Sequence, residues 1–473
     1  MTADAKIPSP PRIHAFTDDA LGEHDAVALA ELVRTGAVGA EELAAAAAAR
    51  AEQVEELAAV AYPSYSRPLS PSARSGTFYG VPTFVKDNTD VAGMPTNQGT
   101  AAFHATRARE HGPYTRQLLS TGVTVLGKSA MPEFGFNAST EPPHARPTRN
   151  PWHPGYSVGG SSGGAAALVA AGVVPIAHGN DGGGSIRIPA ACAGLVGLKP
   201  SRGRHVDSGM ARALPINIVS EGVLTRTVRD TAAYIAAAER YWRNPALPPI
   251  GHVEGPASRR MRIALVLDNL AGPVAPGPIR AAVEKVAATL ESSGHSVEPV
   301  PLPFDARLET DFLHYWGLLA AVITTTGRFL DRRFDAGRVD DLTAGLRELF
   351  VRRALRTPLT LYRLRAAAGI YQRALGPFDA VLLPVLGHTT PELGLLSPTV
   401  PFDELIDRLR AYVAFTPINN ITGTPAIAIP AGLTAEGLPI GVQLAATRGN
   451  ERTLLELAYL VESEQPFPRL NRP

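Results

Sequence analysis

The amino-acid sequence predicts an α/β fold in a single large domain. Three observations carry that expectation: helical and extended patterns alternate from Tyr114 to Leu198, a strand–helix–strand unit spans Met261 to Val300, and no internal repeat or low-complexity tail divides the 473 residues. A chain of this length can bury a sizeable core.

Taken in order, residues from about Asp25 to Ala61 are Ala-rich with helical period, and Gly36 and Gly39 divide them into two helices of an N-terminal arm. Ser64 to Gly76 is rich in Ser and Pro, which reads as a surface connection. A β-branched run from Tyr79 to Asp87 then ends in Lys86. At the end of a buried strand such an amine loses hydration and can act as a neutral base; the simpler alternative is a solvated lysine paired with Asp87. Tyr114 to Thr121 predicts a helix closed by Gly122, Val123 to Leu126 a strand, and Met131 to Pro154 a loop. Gly163 to Ala171 reads as a helix, Val173 to Ala177 as a strand, Gly179 to Gly184 as a loop and Leu195 to Leu198 as a strand. The alternation lapses from Arg202 until a helix starts at Thr227. Pro278 to Ser293 has proline in its first turn and Gly294 past its end, the expected asymmetry of a helix between two strands. Helices fill a region of about 305–375, strands recur at Ala380 to Val385, Ala426 to Pro430 and Ile440 to Ala445, and a helix from Asn450 closes the chain.

Composition narrows the function. With 45 basic against 44 acidic residues, no overall field favours nucleic acid or a membrane surface. Eleven arginines between Gly327 and Arg373 are interleaved with Leu, Phe and Ala, as on a solvated helical face. The most apolar run, Ala165 to Ala177, is too short to span a bilayer, and the first residues lack the apolar core of a signal peptide. A lone Cys192 rules out an intrachain disulfide and a Cys-based zinc site, consistent with a cytoplasmic protein. None of the twelve histidines forms an H-x-x-x-H or H-E-x-x-H pattern, so no metal or cofactor is expected, and His178 and His205 read as structural.

Gly159 to Gly197 holds eleven of the 44 glycines in 39 residues and two serine sites, Ser161–Ser162 and Ser185. A serine after a glycine run suits a nucleophile, because neighbouring N–H groups can receive an oxyanion. Gly159-Gly-Ser-Ser-Gly163 fits G-x-S-x-G, but Pro151 and Pro154 argue against the upstream strand that a nucleophile elbow needs. No lysine has a serine three residues before it, and neither a P-loop nor a dinucleotide fingerprint is present.

Gly80-Val-Pro-Thr-Phe-Val-Lys-Asp87, Gly159-Gly-Ser-Ser-Gly-Gly164 and Asp181-Gly-Gly-Gly-Ser-Ile-Arg-Ile-Pro189 together resemble the amidase signature family, and the likeness continues to Gly437-Leu-Pro-Ile-Gly-Val-Gln443. The resemblance implies a central mixed β-sheet covered by helices on both faces, with the arm at about 25–61, a signature core at about 75–235 and a variable helical region at about 305–375. It also implies a Ser-Ser-Lys triad: Ser185 as nucleophile, Ser161 as bridging serine behind a cis Gly160–Ser161 bond, and Lys86 as base and later acid. Gly182, Gly183 and Gly184, with Ser185, would supply the oxyanion donors, and Asp181 and Arg187 would brace the loop. By position Phe134, Gly135, Phe136 and Asn137 would line the acyl site. Phe312 to Trp316 reads equally as an apolar entrance or as ordinary core aromatics.

The implied protein takes a small-molecule amide, needs no cofactor, and works as monomer or homodimer without nucleic acid or membrane. The form Asp181-Gly-Gly-Gly-Ser185, where glutaminase subunits of transamidation complexes carry Asp-Thr-Gly-Gly-Ser, is similar to stand-alone amidases, including nylon-oligomer cyclic-dimer hydrolases and aryl acylamidases. The expected activity is therefore hydrolysis of acyl or aryl amides, with carbamates and esters as further substrates. A glutaminase-type subunit and a non-catalytic binding member are the alternatives.

Overall fold

The computed structural model describes residues 12–71, 75–270, 272–273, 277–329 and 331–471. The first eleven residues and part of the expected surface connection, 72–74, lie outside them. Its centre is an eight-stranded sheet in the spatial order Ser296–Pro299, Arg262–Leu265, Ala380–Pro384, Pro439–Ala445, Ala426–Leu433, Val196–Lys199, Ser220–Thr225, Ile176–Asp181. Parallel pairing is confined to one edge, where Ser296–Pro299 and Ala380–Pro384 both flank Arg262–Leu265. The other neighbours are antiparallel, so the sheet is mixed.

Alternate side chains of Arg262–Leu265, Ala380–Pro384 and Pro439–Ala445 feed two apolar clusters. Ile263, Leu382, Val442 and Leu444 belong to one, whereas Ala264, Val381, Leu383 and Ala445 belong to the other. The first cluster is closed by the helix Pro278–Ser292 through Val283, Val286 and Leu290, and by Glu451–Glu464 through Leu454 and Leu457. The second is closed by Ala306–Thr326 and Thr357–Leu375 through Tyr315, Leu364 and Tyr371. Helices thus cover both faces, as a sheet with two apolar sides requires.

A three-stranded sheet, Val60–Pro63, Thr124–Ser129 and Pro82–Lys86, flanks this centre. The arm helix Ala26–Thr35 docks through Asp230, whose carboxylate accepts from the N–H groups of Ala26 at 2.8 Å and Val27 at 3.0 Å. Two otherwise orphaned amides of a helix start are satisfied that way.

Several boundaries differ from the sequence-based expectation. The arm ends in the strand Val60–Pro63 rather than in helix. The strand expected at Val173 to Ala177 runs instead from Ile176 to Asp181, so Gly179 and Asn180 are extended and buried. Ser220–Thr225, expected to be irregular, is a fully buried strand. The signals were masked by glycine and acid: Gly179 packs where a Cβ would lie 2.8 Å from Ser162 Oγ, and Glu221 is held by His178.

Candidate active site

Lys86 ends a strand in which every residue is buried. Its own side chain is 0 % exposed, with Nζ 2.7 Å from Ser161 Oγ and 2.8 Å from Asn180 Oδ1. Asn180 is oriented by Asn88: the Asn180 amide donates to Asn88 Oδ1 at 3.0 Å, which leaves its own Oδ1 towards the amine. Asp87, the alternative partner considered from sequence, pairs instead with Lys128 at 3.4 Å. Burial lowers the Lys86 pKa to about 7, against the opposing pull of Glu221 and Asp181. Near neutral pH a large fraction of this amine therefore carries a free lone pair.

His178 supports the same strand end. Its Nδ1 accepts from the Lys86 backbone N–H at 3.2 Å and its Nε2 lies 3.0 Å from Glu221 Oε2. Accepting at Nδ1 leaves the ring proton on Nε2, donated to Glu221. Burial holds its pKa below the usual histidine range. This is the structural role expected from sequence.

The Gly160–Ser161 peptide bond is cis. Gly160 is dictated by close approach: a Cβ there would lie 2.9 Å from the carbonyl of Asn137. The next residue ties the two serine segments together, since the Ser162 N–H donates to the Ser185 carbonyl at 3.2 Å. Lys86 and Ser161 are thus in direct contact, and Ser185 faces the cavity that Ser161 also lines.

Asp181 and Arg187 organise the glycine loop between them. The Asp181 carboxylate accepts from Gly184 N–H at 2.7 Å, Ile186 N–H at 3.2 Å and Arg187 Nε at 3.0 Å. The Arg187 guanidinium beside it holds that carboxyl far below the usual range, although burial pulls the other way more strongly than any single partner. Arg187 also donates to Gln443 Oε1 at 3.0 Å, the Thr416 carbonyl at 2.9 Å and Asn420 Oδ1 at 2.7 Å. The Gly184 N–H, which the resemblance placed among the oxyanion donors with Gly182, Gly183 and Ser185, donates to Asp181 in this structure. Gly184 is required for another reason: at φ 130° a Cβ would sit 2.3 Å from Thr416 Oγ1, which itself donates to the Gly183 carbonyl at 2.6 Å.

Above the loop lies a cavity of about 480 Å³. Phe134, Gly135, Phe136 and Asn137 all line it, as do Gly160, Ser161, Gly182, Gly183 and Ser185. The opposite wall is the helix Ala306–Thr326, which presents Phe312, Trp316, Leu319, Ile323 and Thr326 at helical spacing. Phe312 and Trp316 therefore belong to the cavity, with Trp316 edge-on to Phe136 at 6.5 Å between ring centres. Phe134 adopts φ 49°, rare for a non-glycine residue, and its N–H donates to the Gln98 carbonyl at 2.8 Å. Among the described residues, none that lines the cavity carries a formal charge.

Residues 30–455 match the family model named Amidase. The 6-aminohexanoate-cyclic-dimer hydrolase of Pseudomonas sp. (strain NK87) is 35% identical over 95% of this chain and 97% of its own length. The chain belongs to the amidase signature family. AmiC of Mycobacterium tuberculosis (strain ATCC 25618 / H37Rv) is 48% identical over 98% of this chain and 99% of its own. Among solved structures, a 6-aminohexanoate cyclic dimer hydrolase superposes with TM-score 0.82 at 30% identity, covering 96% of this chain and 99% of that one. A bacterial aryl acylamidase of the amidase signature family does so with TM-score 0.81 at 26% identity, covering 95% and 99%. The protein is an amidase.

Sequence reasoning did not single out Asn180, Glu221, Thr416 or Asn420 in this amidase. Asn180 sits between Gly179 and Asp181, where an asparagine reads as a turn. Thr416 and Asn420 lie more than 200 residues beyond the loop they hold. Among the described residues no helix is long and apolar enough to cross a membrane.

Proposed function

We propose that the protein is a free-standing amidase for neutral, largely apolar acyl or aryl amides, working through an acyl-enzyme on Ser185. The observation that carries this reading is the buried Lys86 amine, with its pKa near 7, held 2.7 Å from Ser161 Oγ at the floor of an uncharged cavity that Ser185 also lines.

In the proposed course, Ser185 Oγ bonds to the amide carbon while its proton passes to Ser161 and the Ser161 proton passes to neutral Lys86. The oxyanion faces the N–H groups of Gly182, Gly183 and Ser185, each such donor being worth about 2.7 to 4 kcal/mol in comparable hydrolases. The proton then returns through Ser161 to the leaving nitrogen as the C–N bond breaks. Water takes the place of the amine and, deprotonated through the same relay, releases the carboxylic acid. Carbamates and esters enter the same path, since each offers a carbonyl with a competent leaving group.

The cavity lining favours this over a glutaminase. Glutamine brings an ammonium and a carboxylate, which would lose water without an ionic partner among the lining side chains. A cyclic dimer of 6-aminohexanoate, named for a relative, has no free ends and so no charge.

The test is hydrolysis of an anilide, an aliphatic amide, glutamine, a carbamate and an ester, with Ser185→Ala as control. Anilide turnover well above glutamine turnover is expected, with at least a thousandfold loss in the variant and a fluorophosphonate adduct on Ser185. Glutamine as the only substrate, or a Ser185→Ala variant as active as wild type, would overturn the reading.

A further inference from the structure

We propose that a second cavity, on the far side of the helix Ala306–Thr326, is a ligand site for an organic oxyanion with a short apolar body. This cavity measures about 530 Å³ and lies between that helix, Asp341–Arg353 and Thr357–Leu375. It shares no lining residue with the substrate cavity. The helix divides its faces between the two: Phe312, Trp316 and Leu319 point one way, and Arg307, Asp311 and His314 the other.

Four guanidinium groups, Arg307, Arg353, Arg356 and Arg363, stand around this cavity against a single carboxylate, Asp311. Asp311 is engaged by Arg363 at 3.7 Å and by the Thr360 hydroxyl at 3.1 Å. Arg307 faces Asp305 at 3.8 Å. Arg353 and Arg356 have neither a hydrogen bond nor an ion pair to any described residue. Planar guanidinium forks match oxyanions, and three leucines, Leu313, Leu349 and Leu359, offer apolar contact beside them.

His314 lines the same cavity at 6 % exposure. Its Nε2 lies 3.1 Å from Thr357 Oγ1, whose own proton goes to the Ala354 carbonyl at 2.6 Å, so Nε2 is the ring nitrogen that donates. Burial holds its pKa low, with Arg353 and Arg356 acting in the same direction and Asp311 against them.

The experiment is calorimetric titration of the whole protein with hexyl sulfate, whose charge is constant from pH 6 to 8, and with hexylammonium. Wild type is expected to bind hexyl sulfate and to ignore hexylammonium. The Arg353→Ala/Arg356→Ala variant, altered only at exposed side chains and checked by unchanged anilide hydrolysis, should bind at least tenfold more weakly. Absence of binding to wild type, equal binding of the two probes, or wild-type affinity in the double arginine variant would overturn the proposal.

Discussion

At the residue scale the chemistry of the site depends on which groups keep their charge when water is removed. Lys86 gives it up: with only neutral oxygens in contact, its amine is half deprotonated near pH 7. If the neutral form is the base, kcat/KM should rise with pH through about 7 and level off above, because protonation below that value removes the lone pair. A flat profile between pH 6 and 8 would contradict this. Lys86→Arg, charged at every accessible pH, should lose about 10² to 10⁴ in rate with no recovery at high pH. Asp181 keeps its charge because Arg187 stands against it, although both side chains are 0% exposed and burial acts the other way. Asp181→Asn should cost about 3 to 5 kcal/mol by leaving a buried guanidinium uncompensated, read as a lower urea midpoint. Lys86, Ser161, Asp181, Ser185 and Arg187 were visible in the sequence because three motifs fix their positions. Asn180 was not, because its role depends on a strand running two residues past a glycine, and a local pattern treats that glycine as a stop.

At the element scale the helix Ala306–Thr326 forms one wall of the cavity above the glycine loop. Its presence was legible from sequence, but the facing of its aromatic residues was not. Helical spacing alone serves core and cavity equally, and only the packing of Phe136 against Trp316 separates them. The strand Ser220–Thr225 was missed for a related reason: Glu221 and Gly222 break an apolar run, although both are accommodated, one by His178 and the other by close backbone approach. If the helix forms the substrate wall, Trp316→Ala should raise KM for an anilide at least tenfold and for a short aliphatic amide much less. Equal effects on both substrates would assign Trp316 to stability alone.

At the scale of the whole molecule, the amines that burial brings towards neutrality govern stability in mild alkali. Lys86 and Lys199 are both lowered to about 7, chiefly by burial, and Lys128 is lowered in the same direction. An unfolded lysine stays protonated to about pH 10.4. For these amines unfolding between about 7 and 10 therefore takes up protons, a contribution to stability that rises with pH. Below neutrality the signs are mixed. Glu133, Asp230 and Glu462, raised to about 7 mainly by burial, favour the folded chain at lower pH, whereas His178 and His205, pushed down by burial, favour it at higher pH. Above about 9 an opposing contribution enters, because Cys192 is pushed up to about 11 and Tyr65 to about 12, so both ionise first in the unfolded chain. The clean window is pH 7.5 to 9, where the lysines dominate. The urea midpoint should climb across it, and Lys199→Met, remote from the cavity lining, should climb less steeply than wild type because one of the proton-binding differences is gone. A midpoint constant across that window, or an unaltered slope in Lys199→Met, would mean that these amines are hydrated in solution, and Lys86 would then stay protonated at neutral pH and could not act as the base.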